Sequence, residues 1–157
     1  MRDLILLRHA HAGQAAGTAD VDRSLSDEGR KEAEAAGRWL KEKGLVPDRA
    51  LCSPARRTRE TLDAVLAVIG EVERKEEAAI YEASAGTLAG LVDQHRDAER
   101  LLLVGHNPGL ERLAALMHSG QSGDYRGMPP GGVAVLRLPA DAVIEPGVAT
   151  LSEFWWP

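Results

Sequence analysis

The sequence predicts an α/β fold, a three-layer αβα sandwich built around a mainly parallel central sheet. Short apolar runs alternate along the chain with longer segments whose apolar residues recur at helical spacing. Each run is continuously apolar, which is typical of a strand covered by helices on both faces. Alternation of this kind characterises α/β domains. The runs are LILL, RALC, RLLLVG and VAVLRL.

Length and composition are those of a single globular domain, residues 1–157. Of the 157 residues, 44% are hydrophobic and 27% are charged, which argues against a disordered chain. The net charge is -5 and long basic runs are absent, so nucleic acid and anionic membrane surfaces are poor candidate partners. The longest apolar runs are too short for a signal peptide or a membrane span. We therefore expect a cytoplasmic protein.

The single cysteine, Cys52, lies in the apolar run RALC. One cysteine excludes an internal disulfide and a multi-cysteine metal site, which fits a cytosolic protein. We expect Cys52 to be a buried, small hydrophobic side chain.

The segment between the first two strands predicts a helix. Ser26 is a candidate N-cap and Gly44 is the expected stop. Asp27 and Glu28 lie near the positive end of this helix, where acidic side chains are favourable. Residues at helical spacing predict the face that packs inward: Ala33, Ala36 or Gly37, and Leu40.

A second helix is predicted after the strand RALC. We expect Ser53 as its N-cap, Pro54 at its first helical position and Gly70 just past its end. Apolar residues three or four apart form its predicted inner face: Leu62, Val65, Leu66 and Ile69.

The last part of the chain predicts two further helices and an edge strand. One helix covers Thr87 to Gln94, and the next begins near Pro108 or Gly109. The loop Ser119 to Gly132 is irregular in sequence and offers at most a partial cover for a site. The tail VATLSEFWWP predicts a short edge strand that Pro157 ends. The fourth helix is expected to carry apolar residues inward: Leu110, Leu113, Ala114 and Met117.

Polar residues follow three of the predicted strands at their carboxyl ends, where parallel sheets bind ligands. LILL leads into Arg8 and His9, RALC leads to Arg57 near a helix start, and RLLLVG leads into His106. These residues are therefore expected to converge at one edge of the sheet. Guanidinium groups bind phosphate oxygens in pairs. The pattern indicates a phosphate pocket, with one imidazole as nucleophile and the other as a donor to the anion.

Two other interpretations concern charged residues near this edge. Arg56 and Arg59 are expected in solvent or paired with Glu60 and Asp63.

A metal site is the alternative to a phosphate pocket as an explanation of the two histidines. Because carboxylate or cysteine ligands at recognised spacing are missing and arginines crowd the site, we expect no metal and no cofactor.

These motifs resemble the histidine phosphatase superfamily, the phosphoglycerate mutase-like or RHG fold, and within it the SixA-type phosphohistidine phosphatases. The resemblance covers nearly the whole chain, through LLRHAHA, LSDEGRKEA, LCSPARRTRET, IYEAS, LLLVGHNPGL and the tail strand. It implies that His9 becomes transiently phosphorylated and that Arg8 and Arg57 clamp the phosphate. It also implies that His106 is the second imidazole of the pocket. Glu82, in IYEAS, lies where larger members supply a carboxylic acid.

Two positions bear on how well the family pattern fits. Ala10 stands where the family motif has glycine, and this small-for-small change is expected to leave room for phosphate. His11 falls where the pattern asks for nothing particular, and we expect it at the rim or in solvent.

The resemblance implies a metal-independent phosphatase that acts on phosphohistidine of a phosphorylated protein and releases inorganic phosphate. The chain lacks the long insertions of larger relatives, which predicts an open, shallow site. An imidazole leaving group also depends less on a proton donor than an alkoxide does. Two alternatives stay open: a phosphomonoesterase acting on a small phosphorylated metabolite, and a non-catalytic phosphate-binding domain. Phosphoglycerate mutase activity is disfavoured, because segments that enclose a bisphosphorylated intermediate are missing.

Overall fold

The protein is described by a computed structural model over residues 1–14, 16–121 and 127–157, in which helices flank a six-stranded sheet. The strands are β1 Arg2–Arg8, β2 Arg49–Cys52, β3 Glu73–Glu76, β4 Arg100–Gly105, β5 Val133–Leu138 and β6 Thr150–Trp155. The α-helices are α1 Asp27–Glu42, α2 Arg56–Ile69, α3 Ala85–Asp93 and α4 Gly109–Ser119. Two short 3-10 turns cover Asp20–Asp22 and Ala78–Ile80.

The strand order is β3-β2-β4-β1-β5-β6, and the first four strands in this order are parallel. β5 runs antiparallel to β1, and β6 runs antiparallel to β5. The predicted mainly parallel sheet is therefore confirmed. Arg8 at the end of β1 lies opposite Gly105 at the end of β4. This register makes His9 and His106, the next residues of each strand, leave the sheet side by side.

Alternate residues of β1 pack against different helical layers. Leu4 and Leu6 belong to the apolar cluster that includes residues of α3 and α4. Ile5 and Leu7 belong to the cluster on the other face, which includes residues of α1 and α2. All four side chains are at most 1% exposed. Burial on both faces explains the continuous apolar run and confirms the predicted three-layer arrangement.

Helix α1 matches its prediction at both ends. The Ser26 hydroxyl accepts a hydrogen bond from the main-chain N–H of Gly29, as an N-cap does. The helix ends at Glu42, and Gly44 follows with a left-handed φ of 70°. The exposed His11 packs beside this cap, its Nδ1 2.7 Å from the Ser26 hydroxyl. The predicted inner-face residues are buried: Ala33, Ala36, Gly37 and Leu40.

Helix α2 begins later than predicted, and the assignment of Ser53 as its N-cap is wrong. The helix starts at Arg56 without a side-chain cap, so Pro54 precedes it. The Ser53 hydroxyl instead lies 2.8 Å from Nε2 of His106. Gly70 ends the helix as predicted, with a φ of 98°. Of the predicted inner face, Leu62 and Val65 are buried, and Leu66 and Ile69 are partly buried.

The remaining elements follow the predictions except at one edge. α3 begins at Ala85, two residues before the predicted start, and α4 begins at Gly109 as predicted. β6 confirms the edge strand in the tail. β3 was not predicted, because its four residues, ERKE, are all charged and exposed.

Part of the predicted loop Ser119 to Gly132 lies outside the described residues. Within the described ranges, the helices lack the length and apolar character needed to cross a bilayer.

Candidate active site

The carboxyl ends of β1 and β4 place two histidines beside each other. The main-chain N–H of His9 donates to the carbonyl of Gly105 at 3.0 Å, which ties the end of β1 to the end of β4. The ring centroids of His9 and His106 lie 5.4 Å apart with 57° between the ring planes. The structure thus brings together the two imidazoles that were predicted to share a pocket.

His9 is a neutral imidazole with a defined tautomer. Its Nδ1 lies 2.8 Å from the carbonyl oxygen of Ala10. A carbonyl oxygen only accepts, so Nδ1 carries the proton and Nε2 keeps its lone pair. Burial and the neighbouring Arg57 and Arg8 lower the pKa of His9 to about 4, so the neutral form dominates at neutral pH. This is the protonation state that a nucleophilic imidazole requires.

The loop after His9 is tied to the helix that carries Arg57. The Ala10 N–H donates to the Thr61 hydroxyl at 3.1 Å, and that hydroxyl donates to the Arg57 carbonyl at 2.7 Å. Ala10 is fully buried in a small apolar cluster with Leu25 and other residues. Its methyl group therefore occupies core space, and the expectation that alanine here leaves room for phosphate stays a prediction.

His106 is also neutral, with both ring nitrogens engaged. Its Nδ1 lies 3.3 Å from Nη2 of Arg57, which only donates, so Nδ1 accepts and Nε2 carries the proton. Nε2 then donates to the Ser53 hydroxyl at 2.8 Å. Burial, His9 and Arg57 lower the pKa of His106 to about 3. In the free protein the N–H of His106 is directed at Ser53, and its role as a donor to an anion stays a prediction.

Arg57 is a buried cation at the start of α2, only 6% exposed. Its Nη1 donates to the main-chain carbonyl of Asp20 at 2.7 Å, and its Nη2 lies 3.1 Å from the Asp20 carboxylate. Its Nε is buried and has no acceptor among the described residues. Arg57 lines the same cleft as His106, where a guanidinium group can bind phosphoryl oxygens.

Arg8 is held in a similar way on the other side of the site. Its Nη1 donates to the main-chain carbonyl of Met128 at 2.7 Å, while its buried Nε lacks an acceptor in the part of the chain that the structure covers. Asn107 donates to the same carbonyl at 2.9 Å. Glu111 accepts from both Asn107 and the Met128 N–H at 3.1 Å. Arg8 lines a cleft of about 580 Å³ that also includes Asn107 and Pro108.

Glu82 lies on a second cleft, of about 410 Å³, that also includes Arg57, His106 and Asn107. The two clefts therefore meet at Asn107. Glu82 is exposed and has a left-handed φ of 56°. For a residue other than glycine this conformation costs on the order of 1–3 kcal/mol, a strain often found at functional sites. Glu82 thus lines the same cleft as Arg57 and His106, and its role as a proton donor stays a prediction.

Both arginines assigned to the surface are exposed, as predicted, but only one of them has a predicted ion-pair partner. Arg56 lies 3.5 Å from the Glu60 carboxylate, as predicted. Arg59 instead lies 3.9 Å from Glu76. The expected partner Asp63 is already engaged at 2.6 Å by an arginine of β3, a strand that the sequence did not reveal.

Several residues of the site were not found from the sequence. Tyr81 packs edge-on against His106, with centroids 5.5 Å apart, and donates its hydroxyl to Asp20. Arg23 donates to the other carboxylate oxygen of Asp20 at 3.0 Å. Tyr81 adjoins Glu82 in the motif IYEAS, which was a usable signal. Asp20 and Arg23 carry no comparable signal, because a loop brings them to Arg57.

The arrangement suits the binding of a phosphoryl group. Two neutral imidazoles lie beside two arginines, and each arginine keeps an N–H without a protein acceptor among the described residues. Guanidinium groups that line a cleft, as Arg8 and Arg57 do, stabilise the charge on the oxygens of a transferring phosphoryl group. Across the same residues, the structure shows no cluster of three or more His, Cys, Asp or Glu side chains placed to hold a metal ion.

The sequence comparisons agree with this fold. The family model of the histidine phosphatase superfamily (branch 1) matches residues 4–125. The chain therefore belongs to the histidine phosphatase superfamily. An uncharacterized protein of Mycobacterium tuberculosis is 35% identical over 162 residues, which cover 96% of this chain and 99% of that protein.

Two solved structures resemble the chain over nearly its whole length. One is from Nakamurella multipartitia, with 29% identity and a TM-score of 0.86, covering 99% of this chain and 96% of that one. The other is from Agrobacterium tumefaciens, with 30% identity and a TM-score of 0.85, covering 99% and 98%. Both proteins have been assigned the name phosphohistidine phosphatase SixA. Family and relatives together support an enzyme of the histidine phosphatase type, a phosphatase or a mutase.

Proposed function

We propose that this protein is a metal-independent phosphohistidine phosphatase, which removes the phosphoryl group from a histidine side chain of another protein. The observation that carries the proposal is the state of His9. Its Nδ1 proton is held by the Ala10 carbonyl at 2.8 Å, which leaves Nε2 as the ring nitrogen that can attack phosphorus.

The reaction takes place in two steps. In the first, the Nε2 lone pair of His9 forms a bond to phosphorus while the bond to the substrate imidazole breaks. If the other ring nitrogen of the substrate is protonated, the imidazole departs neutral and no further proton donor is needed. In the second step, water attacks phosphorus, the bond to Nε2 breaks and inorganic phosphate leaves. Arg8, Arg57 and His106 hold the oxygens of the phosphoryl group throughout.

The shape of the site supports a protein substrate. The two clefts, of about 410 and about 580 Å³, meet at Asn107 and Pro108 and both open to solvent. A side chain presented from the surface of another protein needs an opening of this kind. The two SixA-named relatives, at 29% and 30% identity, also favour phosphohistidine over other phosphoryl donors.

One observation favours a second candidate, a phosphatase of small phosphomonoesters. Glu82 lines the same cleft as Arg57 and His106. A carboxylic acid there would protonate an alkoxide leaving group, which departs poorly without a proton. The sugar, nucleotide and cofactor-precursor phosphates are substrates of this chemical class.

A direct comparison of substrates tests the proposal. Turnover is measured on a phosphorylated histidine phosphotransfer protein and on a panel of phosphomonoesters, with a chelator present throughout. We expect preference for the protein substrate, and a loss of at least about 1,000-fold in His9→Ala with phosphate still bound. Faster turnover of a phosphomonoester would contradict the proposal in favour of the second candidate. Phosphate binding with no turnover would instead indicate a phosphate-binding domain.

The variant Glu82→Gln separates the two enzymes further. It keeps the size of the side chain and removes the acidic proton. If an alkoxide leaves, phosphomonoester turnover falls far more than phosphohistidine turnover. Equal losses on both substrates would indicate that Glu82 acts on the structure of the cleft and not as an acid.

A further inference from the structure

The guanidinium of Arg57 is bound from one side by a single residue, Asp20. Nη1 donates to the Asp20 main-chain carbonyl at 2.7 Å, and Nη2 lies 3.1 Å from the Asp20 carboxylate. Asp20 supplies the only carboxylate paired with Arg57 among the described residues. Removing the partner of a buried cation strongly destabilises the folded protein. Asp20 therefore fixes the orientation of Arg57 before any phosphate is bound.

The Asp20 carboxylate receives hydrogen bonds from three side chains. Oδ2 accepts from Tyr81 and from Arg57, while Oδ1 accepts from Nε of Arg23 at 3.0 Å. The Tyr81 hydrogen bond and the Arg57 and Arg23 guanidinium groups lower the pKa of Asp20 to about 2. Asp20 is therefore ionised at neutral pH and holds no proton to give to a leaving group.

Tyr81 carries the effect of Asp20 to the second imidazole. Its hydroxyl donates to the Asp20 carboxylate, and its ring meets the His106 ring at 88° with centroids 5.5 Å apart. Edge-to-face packing of this kind restricts the tilt of both rings. The Ser53 hydroxyl restricts His106 from another direction, at 2.8 Å from Nε2.

We propose that Asp20 is a positioning residue for phosphoryl transfer, holding Arg57 directly and His106 through Tyr81 in the orientation that binds the transferring phosphoryl group. The inference rests on the proposed function, since it takes His9 as the reacting residue. Asp20 does not contact phosphorus in this role, and its side chain is 52% exposed at the rim of the pocket.

The negative charge of Asp20 has two opposite effects that an experiment can separate. Near Arg57 it repels a phosphate dianion, which weakens ground-state binding. Its hydrogen bonds hold the donors in place, which lowers the barrier to transfer. Loss of the charge should therefore slow the reaction without weakening the binding of phosphate. A purely structural role predicts losses of both together.

The test compares Asp20→Asn with Asp22→Asn, a change of the same kind two residues along the same 3-10 turn. Asp22 makes no side-chain hydrogen bond or ion pair to the described residues, so its variant controls for the loss of one negative charge. We expect Asp20→Asn to lower kcat on para-nitrophenyl phosphate by about 10- to 100-fold, because small misplacements of positioned groups cost rates of this order. The Kd of inorganic phosphate should be unchanged or lower, and Asp22→Asn should match the wild type in both.

Tyr81→Phe provides a second variant, which removes one oxygen atom and leaves the ring on His106. It should lower kcat in the same direction by less than Asp20→Asn does. It also keeps the proposal testable if Asp20→Asn fails to fold.

Tighter phosphate binding with an unchanged or higher kcat would overturn the proposal, because Asp20 would then act only as a competing anion. Weaker phosphate binding together with a lower kcat and a lower Tm would also overturn it, in favour of a role in folding alone. Wild-type values of kcat and Kd in Asp20→Asn would show that Asp20 does not position the groups that bind phosphate.

A readout that needs no turnover separates this inference from the proposed function. Hydrogen bonds to Asp20 hinder rotation of the Arg57 Nη groups, so the wild-type protein should give separate proton–nitrogen NMR signals for them. In Asp20→Asn these signals should broaden or merge, and in Asp22→Asn they should not. If the wild-type protein turns over no phosphoryl donor, the proposed function is wrong. The positioning role is rejected only if the Arg57 NMR signals of Asp20→Asn are the same as those of the wild type.

Discussion

Arg57 and His106 share a hydrogen bond in which the arginine donates, with Nη2 of Arg57 3.3 Å from Nδ1 of His106. The bond fixes the tautomer of His106 and leaves its Nδ1 without a proton in the free protein. It also adds a positive charge beside an imidazole whose pKa burial already lowers to about 3. The second imidazole of the site is thus held neutral in the free protein.

We predict that phosphate binding is accompanied by uptake of a proton on His106. A bound dianion opposes the effect of Arg57 and raises the pKa of this imidazole, which then donates to a phosphate oxygen. Calorimetric titration of phosphate in two buffers of different ionisation enthalpy measures the uptake. At about pH 6, the wild type should take up more protons per phosphate than His106→Asn. Equal uptake by the two proteins would contradict the prediction.

The pKa values of the two site histidines also predict how stability depends on pH. Burial lowers the pKa of His9 from 6.5 to about 4 and that of His106 from 6.5 to about 3. As the pH falls below 6.5, the unfolded chain binds protons at these positions and the folded chain does not. The free energy of unfolding is therefore unaffected by these two histidines above pH 6.5 and decreases as the pH falls from there toward about pH 4.

Urea unfolding at about pH 7 and about pH 5 tests this dependence. The midpoint of the wild type should fall between the two conditions. The fall should be smaller in the double variant His9→Asn with His106→Asn, which has no imidazole at either position. A fall of the same size in both proteins would mean that other groups cause the acid sensitivity.

Gly109, the first residue of α4, is predicted to tolerate no larger side chain. A Cβ atom there would collide with the Ala83 carbonyl and would lie 3.2 Å from Leu88. Gly109→Ala should lower the free energy of unfolding by about 1–3 kcal/mol, as overpacking does. It should also displace the segment that carries Glu82, which adjoins Ala83 in the chain.

Gly90→Ala is the matched control, because a Cβ at Gly90 meets nothing within 4 Å. In the middle of helix α3 this change should raise stability by up to about 1 kcal/mol. Urea unfolding of both variants measures the contrast. Equal stability of the two would show that the packing between Gly109 and Ala83 is looser than the structure indicates.

Cys52 is predicted to be unreactive in the folded protein. It is completely buried, as expected from the sequence, and burial raises the pKa of its thiol to about 12. The thiolate, which is the reactive form, is therefore rare, and reagents cannot reach it. A chromogenic disulfide reagent should label it only as urea unfolds the chain. Rapid labelling of the native protein without urea would contradict the predicted burial.

The sequence predicts most of the fold because its strongest signals are hydrophobic. β1 and β4 are visible as apolar runs, since both faces of these strands are buried. β3 gives no hydrophobic signal, because every side chain of Glu73–Glu76 is exposed and main-chain hydrogen bonds to β2 hold the strand. Ser53 is wrongly predicted as a cap because a serine before Pro54 has the local pattern of a helix start, whereas the helix begins at Arg56.

The site was partly predictable for a different reason. His9 and His106 directly follow strands that lie side by side, so their proximity follows from topology alone. Asp20 begins one 3-10 segment and Tyr81 directly follows another, and their contact depends on how loops pack above the sheet. A pattern of residue types along the chain contains no information of that kind.

The carbonyl of Met128 holds Arg8 at 2.7 Å, and every amino acid would offer the same oxygen at that position. Natural selection can therefore act on the path of the backbone here without fixing the identity of residue 128, provided that it stays apolar enough for its buried place. Distant homologues are expected to keep the arginine and vary the residue that holds it. A search for invariant positions would then find Arg8 and overlook residue 128, whose main-chain carbonyl holds it.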